Sequence, residues 1–134
     1  MDELRFQSEL VDSARVMGGY GRKLAHKFQV GIPDLMLMLP GKPVWFVEAK
    51  WWPKPPQQGK ILKVATTKKQ RYELGLIFKS NADVKPFVMV GWSDGKYCHA
   101  TALSYDTEEV VGVPPLVITK QKGNLWPLDL ILQA

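Results

Sequence analysis

The chain has 134 residues and a formal net charge of +5, a length that suits one domain able to bury about two thirds of its unfolded surface. Its single cysteine, Cys98, excludes an internal disulfide and a cysteine zinc site and fits a reducing, cytoplasmic setting. No apolar run approaches the roughly 20 residues that span a bilayer, and "MDELRFQSEL" is charged from its second residue, unlike a signal peptide.

In chain order, residues 2–17 set Phe6, Leu10, Ala14 and Met17 on one apolar stripe, which predicts a helix. The glycines of "GGYG" at 18–21 end it. Next, "RKLAHKFQV" alternates Leu24, His26, Phe28 and Val30 against Lys23, Ala25, Lys27 and Gln29, the pattern of a strand. "DLMLMLP" and "VWFVEAKW" are short, apolar and separated by "GKP", and read as two buried strands of a hairpin. "PKPPQQGK" at 53–60 is an exposed, mobile loop by its prolines and glycine. Residues 67–79 predict a second helix with Thr66 or Thr67 as its cap. "PFVMVGW" reads as a central strand, and "KYCHATAL" pairs with it across "SDG". Pro114 and Pro115 limit the tail to one short edge strand, and the apolar "LWPLDLILQA" either docks on the core or covers a partner subunit. The order predicts one α/β (α+β) domain over 1–134, a mixed sheet packed by helices. Its core spans about 3–103, followed by an extension at 104–134.

Three charges stand in the apolar hairpin. In "VWFVEAKW" the side chains alternate, so Glu48 and Lys50 share a face with Val44 and Phe46. Asp34 opens the preceding strand. A two-residue loop between Pro40 and Pro43 would set Asp34 opposite Ala49 and turn it away from Glu48. A three-residue loop or a bulge sets it opposite Glu48, and this odd register is the expected one. Two carboxylates on one buried face are costly unless neutralised. Lys50 supplies one charge, and a divalent cation supplies more. Carboxylate oxygens with open water positions suit Mg²⁺, with Mn²⁺ as a substitute, and such an ion polarises a phosphodiester and activates water. The plainer alternative is an ion pair at a strand end.

Charge along the chain points to a polyanion. Between Ala49 and Tyr72 stand Lys50, Lys54, Lys60, Lys63, Lys68, Lys69 and Arg71 with no acid among them, and Arg22, Lys23 and Lys27 form a second acid-free group. Nucleic acid is the first candidate partner, and a solvated face the alternative.

The "PD" at 33–34 and "EAK" at 48–50 resemble the PD-(D/E)XK nuclease superfamily. With "SELVDSARVMGGYGRKLAHKFQVGIPDLMLMLPG" before "FVEAK", the chain is similar to the VRR-NUC branch and its phage-encoded relatives over about residues 3–92. The resemblance implies a restriction-endonuclease-like αβββαβ core and a metal-dependent DNA endonuclease. Asp34 and Glu48 would hold Mg²⁺ with the carbonyl of Ala49, and Lys50 would be the catalytic lysine. Glu9 would be the first-helix acid at the metal, with Glu3 as competitor, and Gln70 would support the site or contact the DNA backbone.

Free-standing relatives of this kind imply a structure-specific nuclease, foremost a dimeric Holliday junction resolvase in the cytoplasm of its host. A nicking or restriction-type nuclease and a catalytically idle DNA-binding module are the alternatives. The helix at 2–17 and the tail "LWPLDLILQA" are the candidate dimer elements. Lys23, Lys27, Lys54, Lys60, Lys63, Lys68, Lys69 and Arg71 are candidate phosphate contacts on branched or duplex DNA. His26 is a candidate substrate contact or a core residue, and His99 is read as structural. Trp51 and Trp52 either stack on exposed bases or pack inside.

Overall fold

Asp2 caps the first helix by accepting the Arg5 backbone N–H at 2.8 Å, and the helix α1 runs Glu3–Val16. Phe6, Leu10 and Ala14 are fully buried along the predicted stripe. Gly18 closes the helix at φ +83°, a conformation open to glycine at no steric cost. The next two glycines do more than stop a helix. A Cβ on Gly19 would lie 1.9 Å from the Met38 carbonyl oxygen, and one on Gly21 would lie 2.9 Å from that of Val11. They let strand β1, Tyr20–Lys23, pass directly beneath α1.

This computed structural model describes residues 1–24 and 31–131. The rest of the strand predicted at 22–30, with His26 and Lys27, lies outside them. The hairpin follows as β2, Leu35–Met38, and β3, Val44–Trp51. After it come β4 (Ile61–Lys63), α2 (Lys68–Ser80), β5 (Val84–Ser93), β6 (Tyr97–Ser104), β7 (Glu109–Val111), β8 (Ile118–Gln121) and the short α3 (Leu128–Ile131). Most of the loop at 53–60 is exposed, but Pro56 is buried.

Among the described residues six strands form one mixed sheet in the order β1-β2-β3-β5-β6-β8. Of its described pairs only β3 and β5 run parallel, as suits two strands joined through a helix. Pro86 is tolerated in β5 because β6 pairs only from Phe87 onward. One face of the sheet packs on α1 through Leu35, Leu37, Trp45, Val47 and Ala49. The other gathers Trp52, Val88, Val90 and Trp92 with Leu74 of α2. The result is the expected mixed sheet with flanking helices. None of the described helices is long and apolar enough to cross a membrane.

The tail departs from expectation. It holds two strands instead of one: β7 pairs with β4 in a separate ribbon, and β8 closes the edge of the main sheet. Trp126, Leu128 and Ile131 enter the α1 core, where Trp126 meets Phe6 edge-on at 5.5 Å. The Trp126 backbone N–H also donates to Ser13 Oγ at 2.9 Å. The apolar stripe of α1 and the tail therefore cover each other, while Leu4, Val16, Leu125 and Leu130 of the same two elements stay exposed. His99 is structural as expected: it bonds Thr119 Oγ1 and Asp94 Oδ2 and stacks on Trp92.

Glu9 belongs to this seal. Its Oε1 lies 3.1 Å from the buried Lys120 ammonium and accepts the Trp126 indole N–H at 3.1 Å, while the ammonium sits 4.9 Å from the Trp126 ring centre. Removing one partner of a buried pair strands the other charge. Glu9→Ala should therefore destabilise the fold by about 2 kcal/mol, discounted for the partial exposure of Glu9. Lys120→Met, which leaves no stranded cation, should cost less. Urea denaturation of both variants checks the order.

Candidate active site

The alternation of β3 turns Glu48 and Lys50 to the same face, and the hairpin register decides whether Asp34 joins them. Leu35 pairs with Val47, Met36 with Phe46 and Leu37 with Trp45. One step further, this register sets Asp34 opposite Glu48, the odd register expected from the charges. The strand β2 has ended there, and the Asp34 side chain replaces its backbone: Oδ2 accepts the Ala49 N–H at 3.0 Å. The N–H and C=O of one strand residue point to the same side, so the Ala49 carbonyl faces this flank as well. On its other side Asp34 is held by the Leu24 N–H, which donates to its carbonyl at 2.8 Å.

Glu48 is fully buried, and neither of its carboxylate oxygens has a hydrogen-bond partner. Its closest cation is the Lys50 ammonium at 3.9 Å. Burial, followed by the Asp34 charge, pushes its carboxyl up to about 8, while Lys50 and the nearby Asp34 backbone N–H, which falls outside hydrogen-bond geometry, pull the other way. Burial also raises Asp34, against the Ala49 N–H and Lys50. A fully buried, unpartnered carboxylate is the costly arrangement that proteins otherwise avoid.

Of the two candidate first-helix acids, Glu3 and not Glu9 lies beside Lys50. Glu3 Oε1 lies 3.8 Å from Lys50 Nζ, and burial raises its carboxyl, with Lys50 opposing and Asp34 reinforcing. Six residues on, Glu9 is turned roughly 120° around the helix and carried about 9 Å along it, so it faces Lys120 and Trp126 instead. Among the described residues no three His, Cys, Asp or Glu side chains converge as a metal cage. The side-chain donors here are the two carboxylates of Asp34 and Glu48. With the Ala49 carbonyl they form an all-oxygen set, which fits a hard divalent ion that keeps several waters.

Gln70 does not reach this cluster. Its Oε1 accepts the Thr67 N–H at 2.9 Å and its own N–H donates to Thr67 Oγ1 at 3.1 Å, a capping box that starts α2. Arg71 is likewise engaged, with Glu108 at 3.0 Å and the Thr66 carbonyl at 2.7 Å. It ties α2 to the ribbon instead of facing outward. Lys23, Lys54, Lys60, Lys63, Lys68 and Lys69 are exposed, although Lys69 pairs with Glu73 at 3.0 Å and Lys23 Nζ reaches the Leu4 carbonyl at 3.4 Å. The two tryptophans after Lys50 part ways. Trp52 is buried and stacked on Trp92, whereas Trp51 is half-buried against Phe6.

No family model matches the chain, and no curated protein matches it. A solved chain described as "VRR_NUC domain" is similar to it, with 28% identity and a TM-score of 0.44, over 64% of this chain and 82% of that one.

The raised Glu48 pKa makes a pH prediction for the metal-free protein. The folded chain keeps the Glu48 proton to about pH 8, the unfolded chain only to about 4.5. Stability present below that lower value is therefore lost as pH rises through this window. In EDTA, unfolding free energy should fall by about 3–5 kcal/mol between the ends of the window, and Glu48→Gln should remove most of the fall. Urea denaturation of both proteins at several pH values checks this. A stability that rises with pH would refute the assignment.

Proposed function

We propose that the chain is a metal-dependent DNA endonuclease of the VRR-NUC branch of PD-(D/E)XK nucleases, and that it resolves four-way DNA junctions as a homodimer. One observation carries the nuclease reading. Glu48 is buried without a hydrogen-bond donor beside Asp34, and Lys50 lies 3.9 Å away. A structural ion pair would leave no second carboxylate to neutralise. An ion-binding site needs one.

In this reading Asp34, Glu48 and the Ala49 carbonyl hold Mg²⁺, or Mn²⁺ in its place. The bound ion would polarise the scissile phosphate and lower the pKa of attacking water. The Ala49 N–H fixes Asp34 in place, so one donor oxygen is set before substrate arrives. Lys50 stands on the same face as Glu48, where its ammonium orients the water or offsets charge that builds on the phosphate. Glu3 holds that ammonium from the far side and acts as a positioning residue. Lys54, Lys60, Lys63 and Lys68 offer charge to the phosphate backbone with no base readout, which makes binding fall steeply with salt.

Junction resolution and dimerism are the finer parts of the proposal. Cutting two strands of a junction needs two such sites, and a two-fold dimer supplies them. The packing of α1 against the tail takes their shared stripe out of such an interface and leaves Leu4, Val16, Leu125 and Leu130 on the two elements exposed to it. A general nicking nuclease with the same site is the second reading, supported by the same three residues.

Incubation with a synthetic four-way junction and a linear duplex, in Mg²⁺ and in EDTA, tests both. Symmetric cuts confined to the junction are expected, and cuts on both substrates would favour the nicking enzyme. Asp34→Asn, Glu48→Gln and Lys50→Met should each lower the rate by roughly 100-fold or more. Glu3→Gln should lower it less, and Glu9→Gln should act on stability alone. DNA binding with no Mg²⁺-dependent cutting would sink the enzyme reading.

A further inference from the structure

Trp51 follows the candidate catalytic lysine directly, yet its ring is not sealed inside. One side of the indole lies on Gly91, where a Cβ would come within 2.6 Å of the ring. Phe6 braces it at 5.3 Å between ring centres, tilted by 60°. The residue is only half-buried, and it lines a groove of about 620 Å³ with Asp2, Glu3, Trp52, Pro53 and Ser93. Glu3 joins this groove to the candidate active site, because the same side chain reaches Lys50 Nζ at 3.8 Å.

We propose that this groove receives one unpaired nucleobase of the DNA strand being cut, stacked on the Trp51 ring. The inference rests on the nuclease reading and adds to it a preference for bases freed from the duplex. Three features favour a base as the occupant. The ring is held rigidly from behind, so stacking orders no loose side chain. The walls offer the Ser93 hydroxyl, the Asp2 and Glu3 carboxylates and the Met1 amine to the polar edge of a base. Lys50 and Trp51 point to opposite faces of β3, and Glu3, which lines the groove and reaches Lys50 Nζ, links a base held there to the lysine and the carboxylate pair. Duplex bases are already stacked and paired, whereas a branch point or a single-stranded tail presents them free.

The test is DNA binding by fluorescence anisotropy in EDTA, so that it does not depend on cleavage. A labelled junction and a tailed duplex carry one abasic site, moved in turn through the positions around the branch. In the wild-type protein, one position should weaken binding by about tenfold. Trp51→Leu should weaken binding of intact DNA by a similar factor and erase the effect of that abasic site. Trp51→Phe, which keeps a ring over Gly91, should restore most of both, and it carries the comparison at smaller amplitude if Trp51→Leu does not fold. Equal abasic effects in wild type and in the Trp51 variants would overturn the proposal, as would an absence of DNA binding. Base-dependent binding without Mg²⁺-dependent cutting would leave this site standing and remove the nuclease reading alone.

Discussion

One hydrogen bond organises the functional end of this molecule: Ala49 N–H to Asp34 Oδ2, 3.0 Å. Where β2 stops, β3 continues with a backbone donor that has lost its ladder partner. The Asp34 side chain takes that place. This satisfies a buried N–H and locks the register that sets Asp34 beside Glu48. It also spends the local donor on one carboxylate, so Glu48 is left buried without a hydrogen bond, with the Lys50 ammonium 3.9 Å away. The strain of the site follows from a shortage of donors, and a local rule broken without a structural gain is a mark of function.

The hairpin was legible because its period is two. Charges at Glu48 and Lys50 on a strand must share a face, and only one register brings Asp34 to them. The choice between Glu3 and Glu9 was not legible in the same way. Glu3 stands on the apolar stripe, seven residues before Leu10, and Glu9 stands beside it, but what separates their roles is the partner each meets. For Glu9 that partner is Trp126, 117 residues away, with Lys120 beside it, and no local pattern signals such a meeting.

The basic stretch shows a different limit. A count of lysines and arginines does not tell a free cation from one already paired, and Arg71 is bound to Glu108 on a distant loop. Gln70 carried a readable warning. "TKKQ" has the Thr-x-x-Gln spacing of a capping box, and the structure uses it as one. The ribbon of β4 and β7 escaped notice because strands of three residues leave too little periodicity to detect. Gly21 and Gly19 looked like a helix stop, and their real work was visible only once a helix lay on a strand.

The docking of Trp126 against Phe6 and Ser13 has a consequence for the order in which the molecule is assembled. During synthesis every residue of the candidate site is made before Trp126 is. Until then the Phe6 edge of α1 and the Lys120 niche are bare, and the first turn that carries Glu3 rests on a helix packed from one side only. Assembly of the strands and closure of the helix over them are thus separated along the chain. The carboxylate pair is built by residues 34–48, and the helix that steadies its lysine is fastened by residues made well after them.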